Sequence, residues 1–360
     1  MTIKQQLSMT KSSQRRSDIE LLRIVSMAAV VIVHLNFASI GVPKIESFSQ
    51  LFEARNLCQV SVQSIAIIGV NCFALISGFF GIRARWKSGL NFLAQCLIYS
   101  LGLFILADAS LGFIAPFADY VKACQILSCN DLWYVPAYFG LYLLAPFLNA
   151  GCEALSRRQF SALLVLFVVF NLWCGWWYGG SFNPTGYTLV QLILLYLIGR
   201  YISKYPLPIA DTQKCRIIAF VIFLAASMAS VVLYPFMPPA KLFAYNSPIV
   251  MIQSVALLFA FMNPKFSSRS VNFVAQSSFA VYLIHKNPFV FGGVLKPLAK
   301  QAWQQYDVFG YTLWMIVAVI AVFVISVAAD TLRRYFWQKI TNLPSYVKSA
   351  SSYFWKRKSL

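Results

Sequence analysis

The chain has 360 residues, of which 59% are hydrophobic and only 11% are charged. Soluble domains carry about 25% charged residues, so this composition excludes a soluble protein and is typical of a polytopic membrane protein. A chain of this length has room for about ten spans of ~20 residues with short loops. The net charge of +19 does not indicate nucleic-acid binding, because no soluble basic domain or basic-aromatic patch exists to carry it.

Apolar windows, interrupted by charged residues, Pro and Gly, predict an all-α integral membrane bundle of about ten transmembrane helices. In chain order the predicted helices cover residues 19–41, 60–82, 89–108, 132–150, 160–178, 186–204, 214–236, 246–263, 273–293 and 311–333. The first is expected to begin with a capping box made by Ser17 and Glu20. The predicted divisions are a cytoplasmic tail (1–16), a transmembrane domain (17–335) and a basic cytoplasmic tail (336–360). No internal repeat is visible, which weakens a transporter built from duplicated halves.

Basic residues are distributed unevenly across this predicted bundle. Of the 30 Lys and Arg, 23 fall in the two tails and in the connections on the same side, and seven fall on the other side. Because basic residues concentrate in cytoplasmic loops, both termini are predicted to be cytoplasmic. The lipid bilayer is therefore the first expected partner, and the basic C-terminal tail is expected to lie on anionic lipid.

The first helix carries three ionisable residues where hydrocarbon is expected, namely Glu20, Arg23 and His34. Charged residues inside spans are costly and usually functional. Arg23 and His34 are 11 residues apart, which at about 100° per residue is roughly 20° beyond three turns, so both side chains share one face. The rise between them is about 16 Å, and Glu20 lies on the same stripe. This polar stripe suggests that something extended binds along the helix.

An enzyme that moves an acyl group across a membrane would need such a stripe. The phosphates of a cytoplasmic acyl-CoA require cations, preferably arginine, and Arg23, Arg83 and Arg85 cluster at the predicted cytoplasmic end. The thioester needs a general base that deprotonates an acceptor hydroxyl, and His34 lies about 16 Å farther along the same face. The alternative interpretations are a packed structural His34 and an Arg23 that only snorkels to the interface.

The sequence gives little support for a metal site or a thiol-redox centre. The eight cysteines form no Cys-x-x-Cys pair and only two histidines occur, so neither a metal site nor a tightly bound cofactor is expected. Cys124 and Cys129 fall in one predicted extracytoplasmic loop, where a disulfide and two free thiols are both open. Ser77 and Gly78 indicate close helix packing rather than a nucleophile.

Four motifs follow one another along residues 17–333. They are Glu20-Leu-Leu-Arg23 followed by His34, Phe73–Phe79, Leu132–Ala137 with Leu144–Phe147, and Ser278–His285. Together they resemble, in the same order, the motifs of the membrane acyltransferase 3 family, the integral-membrane O-acyltransferases. The resemblance implies transfer of an acyl group, commonly acetyl from acetyl-CoA, to a hydroxyl of an extracytoplasmic or lipid-linked glycan. The form of the first motif fits the branch that acts on O-antigen, capsule or exopolysaccharide.

The resemblance also implies roles for individual residues. Arg23 and His34 match the family's essential pair, with Glu20 beside them, and Arg83 and Arg85 match arginines taken to contact CoA. Whether His34 acts directly as a base or passes the acyl group on stays open. The expected location is the bacterial inner membrane, no fused hydrolase-like domain is expected after the last helix, and the oligomeric state is not predicted.

Acceptor contacts are expected from two of the motifs. Trp133 and Tyr134 either stack on a sugar or belong to an interfacial aromatic belt. Tyr282 and His285 lie in the last motif, where His285 either contacts the acceptor or caps the end of its helix. Two other classes of function stay open. One is a glycan or small-molecule transporter or exporter without catalysis, and the other is a subunit that binds CoA while a partner completes the transfer.

Overall fold

The computed structural model describes residues 16–111, 116–128 and 132–357, and within these ranges the chain is helical and contains no β-strand. The helices are α1 Ser17–Leu35, α2 Phe37–Ile40, α3 Phe48–Leu51, α4 Ala54–Ala66, α5 Gly69–Phe80, α6 Trp86–Leu111, α7 Phe117–Cys124, α8 Tyr134–Ala154, α9 Arg157–Phe170, α10 Leu189–Lys204, α11 Gln213–Leu233, α12 Pro239–Leu242, α13 Pro248–Phe261, α14 Arg269–Ala275, α15 Ser278–His285, α16 Pro288–Val290, α17 Lys296–Gln305 and α18 Val308–Arg357. Helix α9 continues as a π-helix over Asn171–Trp177, and a second π-helix, Phe291–Leu295, joins α16 to α17.

Seven helical segments within the described ranges are long and apolar enough to cross a membrane. They are Ser17–Ile40, Ala54–Phe80, Trp86–Ser110, Tyr134–Ala154, Arg157–Trp177, Gln213–Phe236 and Val308–Ile340. The prediction of an all-α, multi-pass membrane protein is therefore confirmed. The other three predicted helices differ: α10 has 16 residues, α13 has 14, and the segment 273–293 is not one helix.

The prediction of a continuous helix over 273–293 is wrong. Helix α14 ends at Ala275, α15 ends at His285, and Asn287 starts a new helix by accepting a hydrogen bond from the Phe289 amide. Pro288 has no backbone N–H and cannot continue the preceding helix. The apolar run hides these breaks, because its polar side chains are engaged with other parts of the bundle rather than with solvent.

Helix α1 lies at the centre of the bundle, where it packs against α4, α5, α13, α14, α15 and α18. Ile19, Leu22, Val31 and Leu35 on this helix are completely buried. A helix that contacts neighbours on all sides has no lipid-facing surface to maintain, so its polar side chains can point into the protein interior. The fold thus gives the polar stripe of α1 an internal position.

Helices α5 and α10 approach each other at two glycines. A Cβ on Gly78 would collide with the backbone oxygen of Tyr196, and a Cβ on Gly199 would collide with that of Leu75. Small residues allow helix backbones in membranes to come this close. The prediction that Gly78 serves helix packing is confirmed, and Ser77 beside it donates a hydrogen bond to the Phe73 carbonyl at 2.8 Å.

The start of α1 differs from the predicted capping box. Arg16 occupies the N-cap and provides no side-chain cap, Ser17 is already helical, and its hydroxyl instead accepts from the Ser268 amide at 3.1 Å. Glu20 pairs with Arg23 rather than with the backbone. The capping box fails because the Ser268 amide occupies the hydroxyl of Ser17 and Arg23 occupies the carboxylate of Glu20.

Candidate active site

The polar stripe of α1 lines two adjoining cavities. The larger cavity, of about 490 Å³, is lined on α1 by Arg23, Met27 and Val30. The smaller cavity, of about 320 Å³, is lined on α1 by Val30, Val33, His34 and, beyond its end, by Ala38. Both cavities share Val30, Val70, Tyr134 and Tyr282 in their walls. Arg23 and His34 thus line two adjoining cavities with shared walls, as expected for side chains on one face of α1.

His34 is bonded to His285, the other histidine of the chain. Its Nδ1 lies 3.0 Å from Nε2 of His285, and Nδ1 of His285 lies 2.6 Å from the carbonyl oxygen of Val281. A carbonyl only accepts, so Nδ1 of His285 carries a proton and Nε2 of the neutral ring is an acceptor. His34 must then donate through Nδ1. The remaining nitrogen of His34, Nε2, is unprotonated and has the lone pair that a general base needs.

Hydrogen bonds at the end of α1 fix the backbone of His34. Ser39 donates to the carbonyl of His34 at 2.6 Å, and the Tyr311 hydroxyl donates to that of Leu35 at 2.9 Å. Asn36 donates through its side chain to the Gln59 carbonyl at 2.9 Å. The last carbonyls of a helix lack intrahelical partners, and here two of them are bound by side chains. The position of the imidazole is thereby set before any ligand arrives.

Glu20 and Arg23 form an ion pair at the other end of the stripe, with 2.7 Å between the carboxylate and Nη1. The Glu20 side chain is only 7% exposed, whereas that of Arg23 is 27% exposed. Fourteen residues separate Glu20 from His34, a rise of about 21 Å along the helix. Glu20 is thus placed to orient Arg23 and not to touch the histidine pair.

Arg83 and Arg85 lie on the connection between α5 and α6, where both are exposed. Neither lines the two cavities. The backbone of Arg85 is nevertheless fixed, because the Tyr142 hydroxyl accepts from the Arg85 amide at 2.8 Å and donates to the Arg85 carbonyl at 2.6 Å. The structure therefore keeps these arginines outside the cavity, on the same end of the bundle as Arg23.

Aromatic rings form one wall of the smaller cavity. Trp133 lies 4.8 Å from Tyr187 and 5.9 Å from Tyr245, measured between ring centroids. Tyr134 and Tyr282 meet edge to face at 5.8 Å. The predicted residues Trp133, Tyr134 and Tyr282 are thus brought together with His34 and His285, while Tyr187 and Tyr245 were missed.

Buried amides hold the backbone of Tyr245 in place. Asn71 and Gln191 both donate to the Tyr245 carbonyl, at 2.8 and 2.9 Å. Buried polar groups of this kind are found with partners that define a unique arrangement. Amides inside apolar segments are the sequence signal for such a network, but they do not indicate which ring the network supports.

Two further residues escaped the sequence analysis because they lie near the end of the last span. Arg334 lines the larger cavity together with Arg23, and Asp330 is completely buried beside it. An acidic residue in an otherwise apolar run of α18 is itself a signal, since intramembrane carboxylates pair with cations and mark functional sites.

Within the described ranges, no three His, Cys, Asp or Glu residues lie close enough together to hold a metal ion. Cys124 is exposed. The prediction about its pairing with Cys129 falls outside the described residues, because Cys129 is not among them.

Fold and site together define a class, a helical membrane protein with a histidine pair at one internal cavity and arginines in the wall of the adjoining cavity. The profile of the family described as acyltransferase domain, the acyltransferase 3 family, matches residues 16–331. The chain therefore belongs to this family and is a multi-pass membrane acyltransferase. No curated protein and no solved structure matches the chain.

Proposed function

We propose that this acyltransferase moves an acyl group, most simply acetyl, from cytoplasmic acyl-CoA to a hydroxyl of a cell-surface or lipid-linked glycan. The observation that carries the proposal is the 3.0 Å contact between His34 and His285 at a cavity that adjoins the one lined by Arg23. A base with an unprotonated nitrogen lies deep in the bundle, and cations lie at the mouth. The setting is the bacterial inner membrane, with O-antigen, capsule or exopolysaccharide as the acceptor.

In this mechanism His34 is the general base. Its Nε2 accepts the proton of the acceptor hydroxyl while the hydroxyl oxygen attacks the thioester carbonyl carbon. The C–S bond then breaks, the acyl group stays on the acceptor oxygen, and the CoA sulfur takes the proton back from Nε2. His285 accepts the Nδ1 hydrogen of His34 throughout, which fixes the tautomer and stabilises the transient imidazolium, as the carboxylate of a catalytic triad does.

The donor would bind along the stripe of α1. Its pantetheine arm would extend through the larger cavity, which Phe92 and Phe279 line with rings stacked 5.0 Å apart. Arg23 would meet a phosphate where the nucleotide enters, and Glu20 would hold that guanidinium in place. Arg83 and Arg85 would contact the part of the nucleotide that stays outside the cavity.

The acceptor would bind in the smaller cavity. Trp133, Tyr134 and Tyr282 would contact the sugar ring there, since aromatic faces pack well against apolar surfaces and phenols supply a polar handle. His285 is then a partner of the base and not an acceptor contact. The bilayer is the remaining partner that the proposal requires.

The test is the surface polysaccharide of a deletion strain, examined by NMR. Wild-type protein should restore the O-acetyl signals that the deletion removes, and His34→Ala should not, although immunoblots find the variant in the membrane. O-acetylation that survives His34→Ala would reject the catalytic role of this residue. A glycan unchanged by the deletion would reject the acceptor class.

The same two cavities also suit a permeation path, which keeps a transporter as the second candidate. Purified protein given labelled acetyl-CoA and glycan separates the two. Acyl transfer puts the label on the glycan, whereas a transporter moves its substrate with no dependence on acyl-CoA. A subunit without catalysis would bind the donor and leave the glycan unlabelled until a partner is added.

A further inference from the structure

Asp330 on α18 is completely buried and is surrounded by donors. Tyr99 and Ser277 each donate to its carboxylate at 3.0 Å. Arg333 and Arg334 both form ion pairs with it, at 2.9 and 3.2 Å. Two arginines share one carboxylate, so this group of residues carries one net positive charge.

The two arginines point to different places. The guanidinium of Arg333 lies over the ring of Tyr99, 5.9 Å from its centroid. That of Arg334 bonds the side chains of Gln276 and Ser277, and Arg334 lines the larger cavity together with Gln276 and Arg23. Neutralising Asp330 needs only one arginine. The second is held rigidly at the cavity wall, where its side chain remains 24% exposed.

We propose that Arg334 is a phosphate-binding residue for the nucleotide half of the donor, acting across the cavity from Arg23, and that Asp330 is the residue that positions it. This inference rests on the proposed function, because it takes acyl-CoA as the donor. A guanidinium presents a planar fork of donors that matches phosphate oxygens. The surrounding apolar helices strengthen its attraction for an anion relative to water.

Three further observations support this assignment. Arg23 alone cannot supply excess positive charge, because it is paired with the buried carboxylate of Glu20. The excess charge of the Asp330 group lies at the same cavity. Gln276, which donates nothing to Asp330, orients Arg334 from a break between α14 and α15 that an unbroken helix would not provide.

The experiment compares two thioester donors, acetyl-CoA and acetyl-pantetheine, which lacks the nucleotide and its phosphates. Purified full-length protein in lipid nanodiscs is assayed with the glycan acceptor. Arg334→Gln should raise the KM for acetyl-CoA about tenfold or more, as expected for loss of a charge-assisted hydrogen bond, with kcat little changed. It should leave the KM for acetyl-pantetheine within about twofold of wild type, because that donor has no phosphate to lose.

Arg333→Gln is the matched control, since it removes the neighbouring arginine from the same carboxylate without touching the cavity. It removes one positive charge but leaves the fork of Arg334 at the cavity, so it should raise the KM for acetyl-CoA less than Arg334→Gln does and leave the KM for acetyl-pantetheine within about twofold of wild type. Equal effects of Arg334→Gln on both donors, or an equal effect of Arg333→Gln on acetyl-CoA, would overturn the assignment. Failure of wild-type protein to use either donor would instead reject the proposed function, so the two failures are distinguishable.

A second measurement, inhibition by a fragment of the nucleotide, keeps the proposal testable if Arg334→Gln folds poorly. Adenosine 3′,5′-bisphosphate, the phosphate-bearing end of the nucleotide, should inhibit wild-type protein competitively against acetyl-CoA. Arg334→Lys keeps the charge and loses the fork, so it should weaken this inhibition less than Arg334→Gln does. Inhibition that is unchanged in Arg334→Lys and in Arg334→Gln would show that the phosphates bind elsewhere.

Discussion

At the scale of single residues, the site depends on a chain of hydrogen bonds that begins at a backbone carbonyl. The Val281 carbonyl fixes the proton on His285, and His285 fixes the proton on His34. Each ring thereby has one defined tautomer, and Nε2 of His34 is left without a proton. Neither histidine needs a neighbouring carboxylate to reach this state.

His285 should therefore act through His34. His285→Ala is expected to lower kcat by about 100-fold or more, because His34 loses the partner that sets its tautomer, and to leave the KM for acyl-CoA nearly unchanged. His285→Gln places an amide near the position of Nε2, can accept from His34 Nδ1, and should recover part of the lost kcat. Steady-state kinetics of the three proteins check this.

A merely structural His285 would give a different pattern. Both variants would then lose folded protein, measured as the monodisperse fraction in detergent, and their kcat per folded molecule would match wild type. A glutamine variant no better than the alanine variant would contradict the positioning role.

The sequence predicts part of this arrangement. The eleven-residue spacing places Arg23 and His34 on one face because helix periodicity is a local property. The contact between His34 and His285 joins residues 251 positions apart, and no local pattern carries it. The same holds for Arg334, whose position at the cavity depends on how α18 packs against the break between α14 and α15.

At the scale of elements, apolar runs predict where helices exist more reliably than where they break. The 273–293 segment is apolar enough for one span, yet Gln276 and Ser277 bond residues of α18 and Asn287 caps the next helix, and the chain breaks at these positions. These breaks end α15 at His285. An unbroken helix would leave this histidine and Gln276 without their positions at the two cavities.

The contact between α5 and α10 offers a test of the packing. Gly78→Ala puts a methyl group against the Tyr196 backbone and should destabilise the protein by about 1–3 kcal/mol, the usual cost of overpacking. Gly102→Ala in α6 is the control, because no atom lies within 4 Å of its added Cβ. This control should be neutral or slightly stabilising, since alanine is more favourable than glycine within a helix by about 1 kcal/mol.

Thermal unfolding in detergent measures both glycine variants. A Tm for Gly78→Ala that equals or exceeds that of Gly102→Ala would contradict the close approach of α5 and α10. The comparison cancels the general helix-propensity effect, because both substitutions are the same and both lie within helices.

At the scale of the whole molecule, the two cavities differ in the charged residues that line them. Arg23 and Arg334, which line the larger cavity, belong to the 23 basic residues predicted to lie on the cytoplasmic side, while His34 and Lys286 line the smaller cavity. Burial of polar side chains around α1 leaves apolar surface facing outward on the other spans. The protein thus holds two adjoining cavities in its interior and presents apolar side chains on the outside of its spans.

The overall class and the family follow from composition and short motifs, because both are properties of the sequence itself. The extent of the cavities does not, since each is lined by residues from several helices that are distant in sequence. Trp133 and Tyr134 illustrate the limit: belt residues and cavity residues have the same side chains, and only their neighbours distinguish them.

The most direct test is sided transfer in proteoliposomes that hold the protein in one orientation, with labelled acetyl-CoA and glycan separated by the membrane. Label should reach the glycan only when acetyl-CoA is on the membrane side where the two termini of the protein are predicted to lie. His34→Ala should abolish that transfer. Transfer by His34→Ala at the wild-type rate, or transfer only when the donor is on the opposite side, would contradict the account.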